Sequence, residues 1–245
     1  MCNKLNKEKK YQKTLILFDM GGVLLKLDYN TFYRKVASIS KTMSESNFKE
    51  KYIKSGIELL ALKGKIPTSI FINKLKIIIR PTKQLSYKDV KNIFQHCWGK
   101  PINEMIKLKQ QLYEAGYVVG VFSNITKLAH ELINKEYPEI FETYNRRAPR
   151  IYSYKIGSIK PEPQIYQTIK GYKNIIFIDD NKNYLQVAIT QFGWKGILFT
   201  PFTDKAEAIR SVHNNKISSK ASFRIANSLT SLKNHLQEFG INFSR

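Results

Sequence analysis

The segment LILFDMGGV, residues 15–23, decides the fold. Its apolar run, Leu15–Phe18, is too short and too uniformly apolar for an amphipathic helix, so it reads as a buried strand. The run stops abruptly at Asp19, which places that carboxylate at the carboxyl edge of a sheet. Three other segments behave alike. VVGVFSN (118–124) ends on Ser123, SIKP (158–161) presents Lys160, and IIFIDDN (175–181) ends on Asp179 and Asp180. In open α/β sheets ligands bind at that edge. Two carboxylate clusters, a hydroxyl and a lysine gathered there suit a phosphate held with a divalent metal.

The pattern around these segments supports such a sheet. From Asn30 to Trp98 the periodicity is helical throughout and strand signals are absent, with helices expected over 30–41, 45–62, 68–79 and 86–97. Gly64, Pro67 and Pro81 punctuate them. Beyond Pro101 the chain alternates. Helix 102–115 stops at Gly116, strand 117–122 follows, and Thr126 caps a helix over 127–135. A short strand at 150–153 precedes a helix over 163–170 with Pro163 in its first turn. Strand 174–179, helix 182–192 and strand 196–199 complete the repetition, and a last amphipathic helix is expected over 225–238. Residues 1–12 and the stretch 214–220 read as polar and loose. This βαβ order predicts an α/β protein with a doubly wound, Rossmann-like parallel sheet. Residues 13–27 and 100–245 form its core, and 28–99 an inserted all-helical cap.

Composition bounds the function. The 245 residues are 42% hydrophobic and 12% aromatic, as in a globular protein. No apolar run approaches a membrane span, and no signal-peptide core precedes Asp19. Cys2 and Cys97 are the two cysteines, too few for a disulfide framework, so a reducing, cytoplasmic setting is expected; secretion as an effector is left open. The net charge of +22 comes mostly from lysines spread over the whole chain, which is the pattern of a solvated surface. It permits weak adhesion to anionic membranes. No specific nucleic-acid partner is expected, because no recognition signature is present.

Each candidate site residue has an ordinary reading as well. Asp19 alone could be a turn cap, but Gly21 and Gly22 behind it allow backbone N–H groups, those beside Met20 and Gly21, to approach an anion. Asp19 is then a metal ligand, a nucleophile, or both. Ser123 and Asn124 could simply cap a turn; the functional reading takes the Ser123 hydroxyl and the Asn124 N–H as phosphate donors. Lys160 differs from the other lysines because Pro161 and Pro163 stiffen its loop, so it can neutralise both Asp19 and a bound phosphate. Asp179 and Asp180 repel each other unless a cation is near; Asp180 reads as a direct Mg2+ ligand and Asp179 as its partner through water. His96 and Cys97 point in different directions on a helix and do not form a catalytic pair. Phe32, Tyr52, Phe71 and Phe94 recur at helical spacing, as core of the helical insert rather than as substrate stackers.

In this order, over Thr14–Phe199 and extending to the final helix, these residues resemble the haloacid dehalogenase (HAD) superfamily of phosphatases that form an aspartyl phosphate. LKGKIPTSIF (62–71) and KEYPEI (135–140) look like its sugar-phosphatase and epoxide-hydrolase-type subgroup, with a helical C1-type cap. The resemblance implies that Asp19 is the nucleophile, that the Gly21 carbonyl and Asp180 hold the metal with Asp19, and that Ser123 and Lys160 bind phosphate. Mg2+ is the implied cofactor. One departure stands out. Most family phosphatases carry a second Asp, the general acid and base, two residues after the nucleophile, where this chain has Gly21. General acid catalysis is worth about 10²–10⁴-fold, so its absence favours leaving groups that depart as weak bases. A phenol with a pKa of about 10 is one. The expected substrate is therefore a phosphorylated small molecule or a phosphotyrosine-containing protein. The alternative is an impaired module that binds a phosphate-bearing partner or anionic lipid. A dehalogenase has no use for the Asp179–Asp180 pair, and a phosphomutase leans on the missing acid.

Overall fold

The computed structural model describes residues 14–144, 148–201 and 221–243. Among them, six strands form one sheet: β1 (Leu15–Phe18), β4 (Val118–Ser123), β5 (Arg150–Tyr152), β6 (Ile175–Asp179), β7 (Lys195–Phe199) and β8 (Phe223–Ala226). Their order is β5-β4-β1-β6-β7-β8, and every pairing is parallel. β1 lies at the centre, with Phe18 in register with Val121 on one side and Ile178 on the other. Asp19 therefore emerges between the ends of β4 and β6, and its N–H donates to the Ile178 carbonyl at 2.9 Å.

Strand residues alternate between two apolar layers, as the pleat requires. Ile16, Phe18, Val119, Val121, Ile176 and Ile178 face α6 (Asn103–Glu114), α7 (Lys127–Glu136) and α11 (Leu229–Glu238). Leu15, Leu17, Val118, Phe122, Ile175 and Phe177 face α9 (Pro163–Tyr166) and α10 (Lys182–Phe192). Helices on both faces make the sheet doubly wound, as predicted. The helical segment α1 (Tyr29–Ile39), α2 (Glu45–Ser55), α3 (Ile57–Leu62), α4 (Thr68–Ile79) and α5 (Tyr87–Phe94) packs on the first layer. Phe32, Tyr52 and Phe71 are buried within it, and Phe32 meets Phe48, Tyr52 and Phe94 edge-on.

The differences from the sequence reading have local causes. The single helix expected over 45–62 breaks at Gly56, whose φ of 63° ends α2 before α3 begins. The helix expected over 163–170 stops at Tyr166, where the Thr168 hydroxyl bonds the Ile165 carbonyl at 2.6 Å in place of helical continuation. The stretch 225–238 is a strand and a helix: β8 adds to the edge of the sheet beside β7, and Ser228 caps α11 by accepting from the Ser231 N–H at 3.2 Å. A two-stranded antiparallel ribbon was not foreseen. β2 (Leu25–Leu27) pairs with β3 (Trp98–Pro101), so the chain enters and leaves the helical segment side by side. The stretches 1–12 and 214–220, expected to be loose, lie outside the described residues. Among the described residues no helix is long and apolar enough to cross a membrane.

Candidate active site

Parallel strands bring their carboxyl ends to one edge, where Asp19 follows β1 and Asp179 and Asp180 lie at the end of β6. Lys160 joins them from the loop that precedes α9, since SIKP (158–161), read from the sequence as a strand end, is not a strand. Asp19 is buried at 7% exposure, and Lys160 and Asp179 are fully enclosed. The Lys160 ammonium donates to Asp19 Oδ1 at 2.9 Å, to Asp179 Oδ2 at 2.6 Å and to the Phe122 carbonyl at 3.1 Å. Asp179 Oδ1 accepts from the Asn181 N–H at 2.7 Å, so both its oxygens are engaged inside the protein. Asp180 instead lines the cavity in front of Asp19. Carboxylate oxygens of Asp19, Asp179 and Asp180 lie within 4.8 Å of one another.

The electrostatics follow from crowding. Burial alone would pull the Lys160 ammonium down, but Asp179 and Asp19 hold it well above the ordinary lysine range. Burial drives the Asp179 carboxyl upward against the pull of Lys160. Asp180 is exposed at the cavity rim, yet lost solvation on its inner side and the adjacent Asp19 push it up to about 6. One lysine faces three carboxyl groups and bonds two of them, Asp19 and Asp179. An all-oxygen donor set of that kind fits a hard divalent cation such as Mg2+.

Local geometry explains why these residues can converge. Residues 19–25 form a tight turn: the Gly22 N–H donates to the Leu25 carbonyl at 2.8 Å, and the Leu24 and Leu25 N–H groups both reach the Met20 carbonyl at 2.9 Å. Gly22 has φ of 73°, and a Cβ there would stand 2.0 Å from Asp180 Oδ2. Only glycine lets the carboxylate approach so closely. At Gly21 the obstacle is different: a Cβ would lie 3.0 Å from Leu27 Cδ1, so leucine occupies the direction in which a side chain would grow. Besides the prolines of its loop, Asn124 fixes Lys160. The Asn124 side chain accepts from the Lys160 N–H at 2.8 Å and donates to its carbonyl at 2.9 Å. The sequence points only to the Asn124 backbone N–H; the part its side-chain amide plays depends on a loop 36 residues away. Ser123 is buried at the end of β4 and lines the cavity.

The cavity measures about 340 Å³. Its floor is Asp19, Met20, Gly21, Ser123, Asn124, Lys160 and Asp180, and Tyr184 stands beside Lys160. Its other walls are largely apolar: Leu25, Leu27, Leu62, Phe94, Trp98, Ile125, Ala129 and Ile133. Phe94 is thus a wall of this cavity as well as core, whereas Phe32, Tyr52 and Phe71 do not line it. The Cys97 thiol also lines the cavity, and burial pushes it well above the ordinary thiol range, as expected for an inert cysteine. Tyr29 and Glu58 complete the lining, joined by a 2.9 Å bond from the Tyr29 hydroxyl to Glu58 Oε1. The sequence reading assigned neither. Beside the cavity, Lys63 forms an ion pair with Glu162, which also accepts from the Ser158 hydroxyl at 2.9 Å, and Gly64 lies against the Tyr154 carbonyl.

Solved structures share this architecture. A HAD family enzyme of Bacteroides thetaiotaomicron, in complex with magnesium and inorganic phosphate, matches 81% of this chain and all of its own at 24% identity, with a TM-score of 0.66. The chain has the haloacid dehalogenase fold. A predicted HAD-like family hydrolase of Porphyromonas gingivalis matches 84% of the chain and all of its own at 21% identity, with a TM-score of 0.64. The L-2-haloacid dehalogenase of Xanthobacter autotrophicus, with chloropropionic acid covalently bound, matches 91% of the chain and 98% of its own at 15% identity, with a TM-score of 0.58. No protein-family model and no curated relative matches the chain.

Proposed function

We propose that this protein is a Mg2+-dependent phosphatase that hydrolyses a phosphate monoester through an aspartyl phosphate on Asp19. The observation that carries the reading is the buried Asp19–Lys160–Asp179 ion triplet, with Asp180 beside it at the sheet edge. The magnesium and phosphate bound together in the Bacteroides enzyme of the same fold support it. Asp19, Asp180 and the Gly21 carbonyl would hold the ion, which neutralises charge on the nonbridging phosphate oxygens when bound. Ser123, the Asn124 N–H, the backbone beside Asp19 and the Lys160 ammonium orient the phosphate. One Asp19 oxygen attacks phosphorus in line, the ester oxygen leaves, and water then cleaves the acyl phosphate and regenerates the carboxylate. Lys160 stays protonated throughout, because its two carboxylate partners hold the proton in place.

The division into core (13–27, 100–245) and cap (28–99) belongs to this reading, the cap limiting access to the cavity. A volume of about 340 Å³ with apolar walls suits a small phosphate ester with an apolar body. Aryl phosphates, including a phosphotyrosine side chain, are the preferred class. Turnover of an aryl phosphate should require both Asp19 and Mg2+: Asp19→Asn and EDTA treatment are each expected to abolish it. Activity surviving either one refutes the assignment. The dehalogenase of the same fold favours a second reading, in which Asp19 displaces halide from a 2-haloacid. That reaction leaves the crowded Asp179–Asp180 pair without a task. Release of chloride from chloropropionate, with no phosphatase activity, would establish it.

A further inference from the structure

Gly21 supplies no proton to the leaving oxygen, and Leu27 fills the space a side chain there would use. A proton donor must therefore come from another wall of the cavity. Cys97 and Tyr29 line it, but burial raises both well above their ordinary ranges, and Tyr29 already donates to Glu58. Tyr184 stands on the floor beside Lys160, among the groups that would hold phosphate.

Glu58 remains, and we propose that it is the general acid and base of this site, taking over from α3 the task that Gly21 cannot perform. The role rests on the phosphatase reading above. As Asp19 forms its bond to phosphorus, the ester P–O bond breaks and its electron pair passes to the leaving oxygen. Glu58 transfers its proton to that oxygen, releasing a neutral alcohol or phenol and leaving a carboxylate. In the second half, water loses a proton to Glu58 as it attacks phosphorus, phosphate departs, and Asp19 and protonated Glu58 are restored.

The surroundings suit both states. Burial raises the Glu58 carboxyl, favouring the protonated form, while the Tyr29 hydroxyl, donating to Oε1 at 2.9 Å, stabilises the carboxylate. Tyr29 and Tyr33 on α1, Tyr52 on α2 and the Cys97 thiol are the titratable groups around it, and none carries positive charge that would lock Glu58 ionised. α4 and α8 (Ser153–Ile156) also pack on α3, and their lysines, Lys74, Lys76 and Lys155, are not among the groups that shift this carboxyl. With Glu58 as acid, a preference for aryl esters would come from the apolar walls rather than from leaving-group basicity.

The test compares wild type and Glu58→Gln, with Mg2+, on 4-nitrophenyl, phenyl and benzyl phosphate. The nitrophenolate leaves without help. We expect kcat/KM to fall less than about tenfold for the nitrophenyl ester and about 10²-fold or more for the other two. The basic limb of the wild-type pH profile should vanish in Glu58→Gln and persist in Glu58→Asp. A burst of nitrophenolate should precede slow turnover, since the second half also lacks its base. An equal loss for all three esters, or an unchanged basic limb, overturns the role of Glu58 and leaves Asp19 as nucleophile. Absence of Asp19-dependent turnover in wild type overturns the phosphatase reading, and this role with it.

Discussion

Two adjacent glycines behave differently although they look alike in the sequence. Gly21 has an ordinary backbone, and what crowds it is the flexible end of Leu27; Gly22 is left-handed and lies under Asp180. Gly22→Ala therefore meets two penalties. The backbone strain is about 1–2 kcal/mol, and the new methyl displaces the Asp180 carboxylate. The expected result is a lower urea midpoint together with a higher Mg2+ concentration for half-maximal activity. A variant with the wild-type magnesium dependence would show that Asp180 does not hold the ion. At the same scale, Asp19 was legible because an apolar run ended on it. Glu58 was not, because one acidic residue in the helical stretch IELLAL (57–62) looks like any solvated position.

At the scale of elements, α7 and β5 are tied through His130. Its ring packs against Phe141 and Tyr152 at centroid distances of 4.7 and 4.6 Å, and its Nδ1 lies 3.3 Å from the Tyr154 hydroxyl. Burial and the Lys155 charge lower its pKa from 6.5 to about 4. Between those values the unfolded chain binds a proton that the folded chain refuses. Stability from this residue is complete above about pH 6.5, falls as pH drops toward 4, and levels off below. His130→Phe should flatten this part of the Tm–pH curve. An equally steep acid decline in the variant would assign the slope to other groups. Element boundaries were legible where a local signal exists, as at Thr126, whose hydroxyl accepts from the Ala129 N–H at 3.1 Å. They were not legible for β2, β3 and β8, three or four residues each, which exist because another strand lies beside them.

For the whole molecule, the charge of +22 is the one property that no single site uses. Its lysines are dispersed, so attraction to an anionic surface should be purely electrostatic and screened within about 8–10 Å at physiological salt. Retention on phosphatidylserine vesicles is expected at low ionic strength and should disappear by about 0.3 M salt. Retention that persists would indicate a specific lipid site.

The sequence by itself determined the central strands of the sheet and the carboxylates at its edge. Short apolar runs bury themselves as strands, and the polar residue that ends each run falls at the same rim when the strands are parallel. It could not determine what faces that rim from above. The positions of Glu58, Tyr29, Phe94 and Trp98 depend on how α1–α5 and the β2–β3 ribbon settle over the sheet. That placement comes from non-local packing, in which residues of the helical segment share one apolar layer with the sheet. No periodicity along the chain encodes it, so only the folded structure brings the Glu58 carboxyl group into the same cavity as Asp19.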